Sequence, residues 1–228
     1  MREAAADFHP ADDAHHPRLV HHFENLHGQK EASSLGMWLF LAQEVLFFGG
    51  LFLAYTVYRW RFQEAFAVGA HHLNVPLGAA NTVVLIVSSL TMALAVHAAA
   101  LGKGKQAATW LLLTVVLGSA FLGVKVVEYS EKIEHHLVPG PSFSGASLHA
   151  TGDLENQAEI YFSLYFAMTG LHALHMIVGI PILLWLAWRA WRGDYSPAWH
   201  TPVEMTGLYW HFVDIVWIFL FPFLYLIH

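Results

Sequence analysis

The sequence contains no cysteine. Disulfide scaffolds, thiolate zinc sites, iron–sulfur clusters and cysteine nucleophiles are therefore excluded. Charge is also scarce: 12% of the 228 residues are Asp, Glu, Lys or Arg, about half of the ~25% usual in soluble domains. With 11 basic residues and a formal net charge of −6, the chain lacks the electrostatic footprint of a nucleic-acid binder. Apolar and aromatic residues take the place of charge. Hydrophobic residues make up 56% of the chain, including 16 Phe, 9 Trp and 8 Tyr. That is too much apolar mass for intrinsic disorder and too little polarity to cover a water-facing surface. The composition implies an integral membrane protein.

A helix spanning a bilayer needs ~20 mostly apolar residues. Five stretches qualify: residues 34–58, 76–101, 107–129, 160–188 and 205–227. None shows the period-two alternation of a barrel strand, and an open segment in lipid satisfies its own backbone only as a helix. The expected fold is all-α, a polytopic bundle of five transmembrane helices over residues 34–228. A polar tail over residues 1–33 precedes it, carrying His9, His15, His16, His21, His22 and His27. The tail has no apolar core of the signal-peptide kind and reads as a solvated segment. Five spans put the termini on opposite sides. Arg2, Arg18, Lys30, Lys103, Lys105, Arg189 and Arg192 then share one side, against Arg59, Arg61 and Lys132 on the other. The positive-inside rule places the N-terminus in the cytoplasm and the C-terminus outside. Glu131, Glu134, Asp153, Glu155 and Glu159 make the long connection before the fourth span acidic. It reads as a solvated loop able to steer a basic partner.

Polar residues inside the spans are costly and ask for partners. They include Glu44 in the first span, His172 and His175 in the fourth, and Tyr209, His211 and Asp214 in the fifth. Lys125 and Glu128 lie three apart in the third span, close enough to pair. Small residues beside several of these groups permit close helix approach, so most of them read as bundle glue. Glu44 stands out, because it lies near mid-membrane with no basic residue close in its own span. His172 or His175 together with His211 are candidate axial pairs for haem, and a stand-alone di-haem membrane cytochrome is the alternative of a different class.

Two runs carry a resemblance. Residues 35–48, centred on Trp38 and Gln43-Glu44, and residues 209–220, opening Tyr209-Trp210-His211-Phe212-Val213-Asp214, resemble subunit III of the haem-copper oxidases. Asn81-Thr82, Ser88-Ser89, Lys125, Glu128-Tyr129 and the segment Thr169-Gly170-Leu171-His172-Ala173-Leu174-His175 agree with it. The similarity covers all five spans in order and matches the short bacterial form, without the first two helices of the seven-helix members. It implies a non-redox accessory subunit of a proton-pumping terminal oxidase in the bacterial plasma membrane. Catalytic and metal residues are then absent from this chain. Haem and copper belong to the partner catalytic subunit I, with subunit II alongside and cytochrome c or quinol as donor. Glu44, Trp38, His172, His175, Tyr209, Trp210, His211 and Asp214 are the implied lipid or subunit contacts, and bound phospholipid is expected. A partner of a nitric oxide reductase is the related alternative.

Overall fold

A computed structural model describes residues 17–227; His9, His15 and His16 of the tail lie outside the described residues. The chain forms α1 (Leu26–Arg61), α2 (Gln63–His71), α3 (Val75–Ala100), α4 (Gly104–Glu134), α5 (Asp153–Trp191) and α6 (Thr201–Tyr225), with a 3₁₀ turn at Gly145–Leu148. Five of these helices, all but α2, are long and apolar enough to cross a membrane.

α1, α4 and α5 overshoot their apolar runs at both ends and α6 at its start, because helix ends are set by caps as well as by hydropathy. α1 starts at Leu26, where Asn25 Oδ1 accepts the Gly28 N–H at 2.8 Å. At α3, Asn74 caps Leu77 N–H at 3.0 Å, and Pro76 occupies the first turn, where its missing donor costs nothing. Lys132, read from sequence as part of an outer loop, belongs instead to the last turns of α4, where it is buried. Its Nζ donates to the carbonyl of His72 at 2.6 Å. The short α2 was not anticipated; it buries Ala65, Phe66, Gly69 and Ala70 against α5. The five acids read from sequence as loop lie in helices, Glu131 and Glu134 at the end of α4 and Asp153, Glu155 and Glu159 at the start of α5; Glu155 accepts the Gly145 N–H at 2.6 Å and Glu159 the Gly140 N–H at 2.8 Å.

α3, α4, α5 and α6 pack in a closed ring, each against the next, and α1 lies outside it along α5 and α6. The apolar window of α1 is only 11% buried, against 50% for α6. Trp210 of α6 is the key of the ring. Fully buried, it donates its indole N–H to Ser88 of α3 at 2.9 Å. Its ring fills the space over two glycines. A Cβ on Gly118 of α4 would come within 2.9 Å of the indole, and one on Gly179 of α5 within 2.8 Å. One side chain thus sets the distance among four helices.

Gly179→Ala should therefore lower stability by ~1–3 kcal/mol, the usual range for overpacking. Gly123→Ala, whose Cβ would meet nothing within 4 Å, should be neutral or mildly stabilising. Thermal unfolding of the detergent-solubilised protein, followed by circular dichroism, compares the two.

Candidate functional site

α1 reaches the ring through a narrow seam of Leu41, Glu44, Phe48 and Tyr55, its buried positions within the membrane. This three–four spacing puts one stripe of the helix inward, with a carboxyl in the middle of it. Glu44 Oε2 lies 3.2 Å from Nε2 of His175 on α5. The other ring nitrogen, Nδ1, is 2.8 Å from the carbonyl of Leu171. A carbonyl only accepts, so Nδ1 carries a hydrogen. Nε2 is then bare in the neutral ring. The carboxyl of Glu44 and this ring nitrogen face each other across the contact between α1 and α5. Tyr209 of α6 joins the cluster, its hydroxyl donating to the His175 carbonyl at 2.9 Å. Three residues singled out from sequence are thereby brought together across three helices.

The cluster borders a groove of about 450 Å³ between α1, α5 and α6, lined by Met37, Phe40, Leu174, His175, Val178 and Tyr209 among others. Apart from the His175 ring and the Thr206 and Tyr209 hydroxyls, these walls are apolar.

The remaining residues of interest divide by direction. Trp38 is 60% exposed on the outer side of α1. His172, Trp210 and Asp214 are buried and point into the bundle, not toward a lipid or subunit surface. His172 sits between the rings of Phe121 and Trp217, at 5.3 and 5.2 Å. It is three residues from His175, ~60° round the helix, and that offset sends one ring into the core and the other to α1. His211 does not pair with Asp214, as shared face alone would allow; its Nδ1 binds Ser89 Oγ of α3 at 2.7 Å. His172, His175 and His211 thus have separate neighbours, and the geometry does not set any two of them as a facing ligand pair. Among the described residues no group of three or more His, Cys, Asp or Glu converges.

The pairing of Lys125 with Glu128 is present at 2.8 Å, with both side chains buried. Sequence reasoning missed the third member, Tyr225, which follows an apolar run and carries no local signal. Lys125 Nζ donates to the Tyr225 hydroxyl at 2.7 Å, and that hydroxyl donates to Glu128 Oε1. Each member therefore touches the other two. The Trp217 ring faces the ammonium at 4.6 Å, adding cation–π attraction where water is excluded.

Comparison with known proteins decides the family. A family model described as cytochrome c oxidase subunit III matches residues 20–228. The chain belongs to the cytochrome c oxidase subunit III family. Cytochrome c oxidase subunit 3 of Corynebacterium diphtheriae is 36% identical over 196 residues, covering 85% of this chain and 87% of the relative. Quinol oxidase subunit 3 of Bacillus subtilis is 30% identical over 193 residues, covering 84% and 85%. Cytochrome bo(3) ubiquinol oxidase subunit 3 of Pseudomonas aeruginosa is 30% identical over 229 residues, covering 99% and 98%. Family membership and five apolar helices make the chain a multi-pass membrane subunit of a respiratory oxidase complex.

Two outcomes follow from the geometry. Lys125→Met or Glu128→Leu alone leaves a buried charge unpaired and should cost ~3–5 kcal/mol, whereas the double variant should recover most of that loss. A double-mutant cycle on thermal unfolding measures it. Ser89→Ala should unpair His211 and cost ~1–3 kcal/mol, read in the same assay.

Proposed function

We propose that the chain is the non-redox accessory subunit of a proton-translocating terminal oxidase that reduces oxygen to water. In this reading it packs against catalytic subunit I, which holds the haem and copper, with subunit II in the same complex. The quoted relatives are all oxidase subunits, which favours oxygen over nitric oxide as the substrate of the complex. The single observation that carries the accessory role is the use made of the buried polar groups. Glu44 is joined to His175, Lys125 to Glu128 and Tyr225, and His211 to Ser89. These three sets tie helices together rather than linking into a ladder of titratable groups across the membrane, and the buried His172 and Asp214 belong to none of them.

The N-terminus lies in the cytoplasm in this proposal, since Arg18, Lys30, Lys103, Lys105, Arg189 and Arg192 gather at the end of the bundle where α1 begins and basic residues mark the cytoplasmic side. The membrane is then the bacterial plasma membrane. The groove beside Glu44 and His175 suits a phospholipid chain, with Trp38 on the same helix facing lipid or a neighbouring subunit.

The test is a pair of substitutions at Glu44 in the purified oxidase complex. Gln is nearly isosteric, and its amide can donate to His175 Nε2. Glu44→Gln should leave assembly and the first turnovers of oxygen reduction unchanged. Glu44→Leu leaves the imidazole unpaired at ~1–3 kcal/mol and should loosen the subunit or shorten the working life of the complex. Loss of the first turnovers in the Gln variant would refute the supporting role.

A further inference from the structure

The end of the bundle where α3 turns into α4 and α5 ends carries more cations than its acids occupy. Asp194 is the carboxylate of the α5–α6 turn, and it is fully engaged. Arg189 Nε donates to it at 2.8 Å and Arg18 Nη2 lies 3.2 Å from it. Those contacts, the Arg189 hydrogen bond foremost, and the more distant charge of Arg192 hold the Asp194 carboxyl below the usual carboxylate range. At the same end Lys30 pairs with Glu204 at 3.0 Å. Lys103, Lys105 and Arg192 remain exposed, with no carboxylate at ion-pair distance among the described residues.

Packing brings the two segments that carry these three residues together. The backbone of Gly104, between the two lysines, sits directly on the end of α5. A Cβ there would lie 2.5 Å from the Ala190 carbonyl and 3.6 Å from Cα of Gly193, the residue after Arg192. The Arg192 guanidinium is laid over the Trp188 ring at 3.7 Å. Trp188 and Trp191 are themselves 51% and 60% exposed. Indoles of this kind settle at the level of lipid headgroups, so Arg192 is held at that level, and Lys103 and Lys105 flank the Gly104 backbone that sits on the same helix end.

We infer that this corner binds the phosphate of an anionic phospholipid, with Lys103, Lys105 and Arg192 as the cationic contacts and Trp188 and Trp191 against the glycerol and upper acyl region. The site shares no residue with the groove beside Glu44 and does not depend on the role proposed for that pair. Apolar surface alone would accept any lipid; a cluster of cations lacking carboxylates selects for negative charge.

The experiment uses the intact oxidase complex in phosphatidylcholine vesicles doped with spin-labelled phosphatidylglycerol. The immobilised fraction is compared with that of spin-labelled phosphatidylcholine. In the combined variant Lys103→Gln, Lys105→Gln, Arg192→Gln, preference for phosphatidylglycerol should fall, by about fivefold for each cation that contributes fully, while phosphatidylcholine binding stays constant. Raised salt should erode the wild-type preference in the same direction. Unchanged preference in the variant would overturn the proposal. Loss of the chain from the complex with preference retained would do so as well, because a protein partner would then cover the corner. Displacement of the labelled lipid by inorganic phosphate at matched concentration would assign the corner to free phosphate instead.

Discussion

A polar side chain buried among transmembrane helices has no water to return to, so its partner must come from another helix or from its own turn. Most of the contacts that hold this bundle in register answer that demand. Trp210 donates to Ser88, Thr91 meets Thr114 at 2.8 Å, Tyr129 meets Thr169 at 2.6 Å, and Trp217 donates to Thr82 at 3.1 Å. Apolar contact between helices gains little in lipid, because the tails are as apolar as leucine. Hydrogen bonds and the fit of Trp210 over two glycines therefore fix which faces meet. The closed ring of α3 to α6 follows from this, and so does its contrast with α1.

α1 is fastened differently. Three polar contacts join it to the ring at successive heights: Lys30 with Glu204 at 3.0 Å, Glu44 with His175 at 3.2 Å, and the Tyr55 hydroxyl to the Phe223 carbonyl at 2.5 Å. Apolar grooves open beside it. One contains His175 and Tyr209; the other, of about 440 Å³, is lined by Val45, Phe48, Gly49, Phe52, Phe219 and Phe223 among others. A helix held at a few points with grooves beside it leaves room for lipid chains without loosening the ring. This arrangement agrees with a subunit whose core supports its own fold while its first helix faces other molecules.

The five spans were legible because ~20 apolar residues in sequence have few alternative fates. Helix ends were less legible. Asn25 and Asn74 extend or start helices through single hydrogen bonds that hydropathy does not register, and Lys132 looked like loop because its partner is a backbone carbonyl 60 residues away in the chain. Among site residues, the Lys125–Glu128 pair was readable from spacing, being local. Tyr225 was not, since 97 residues separate it from Glu128. His172 and His175 illustrate the limit of face arguments: a small offset round the helix is enough to assign them to different interfaces. His211 and Asp214 make the same point, because the nearer bond for His211 came from Ser89 on another helix.

Three of the polar sets within the spans show three ways of keeping charge out of hydrocarbon. Lys125 and Glu128 are both supplied with hydrogen bonds by each other and by Tyr225, so neither can be removed alone without stranding its partner. Glu44 meets Nε2 of His175 at 3.2 Å, and a neutral amide in place of the acid can donate to that nitrogen. His211 uses a hydroxyl and needs no charged partner at all. The consequence is a graded sensitivity to substitution that follows pairing chemistry rather than depth or burial. Glu44, although it lies in the most exposed helix, should tolerate an isosteric change better than Lys125, which lies in the core. Isosteric tolerance at Glu44 is what a helix-joining role requires, whereas a group relaying protons through the subunit would need the acid itself.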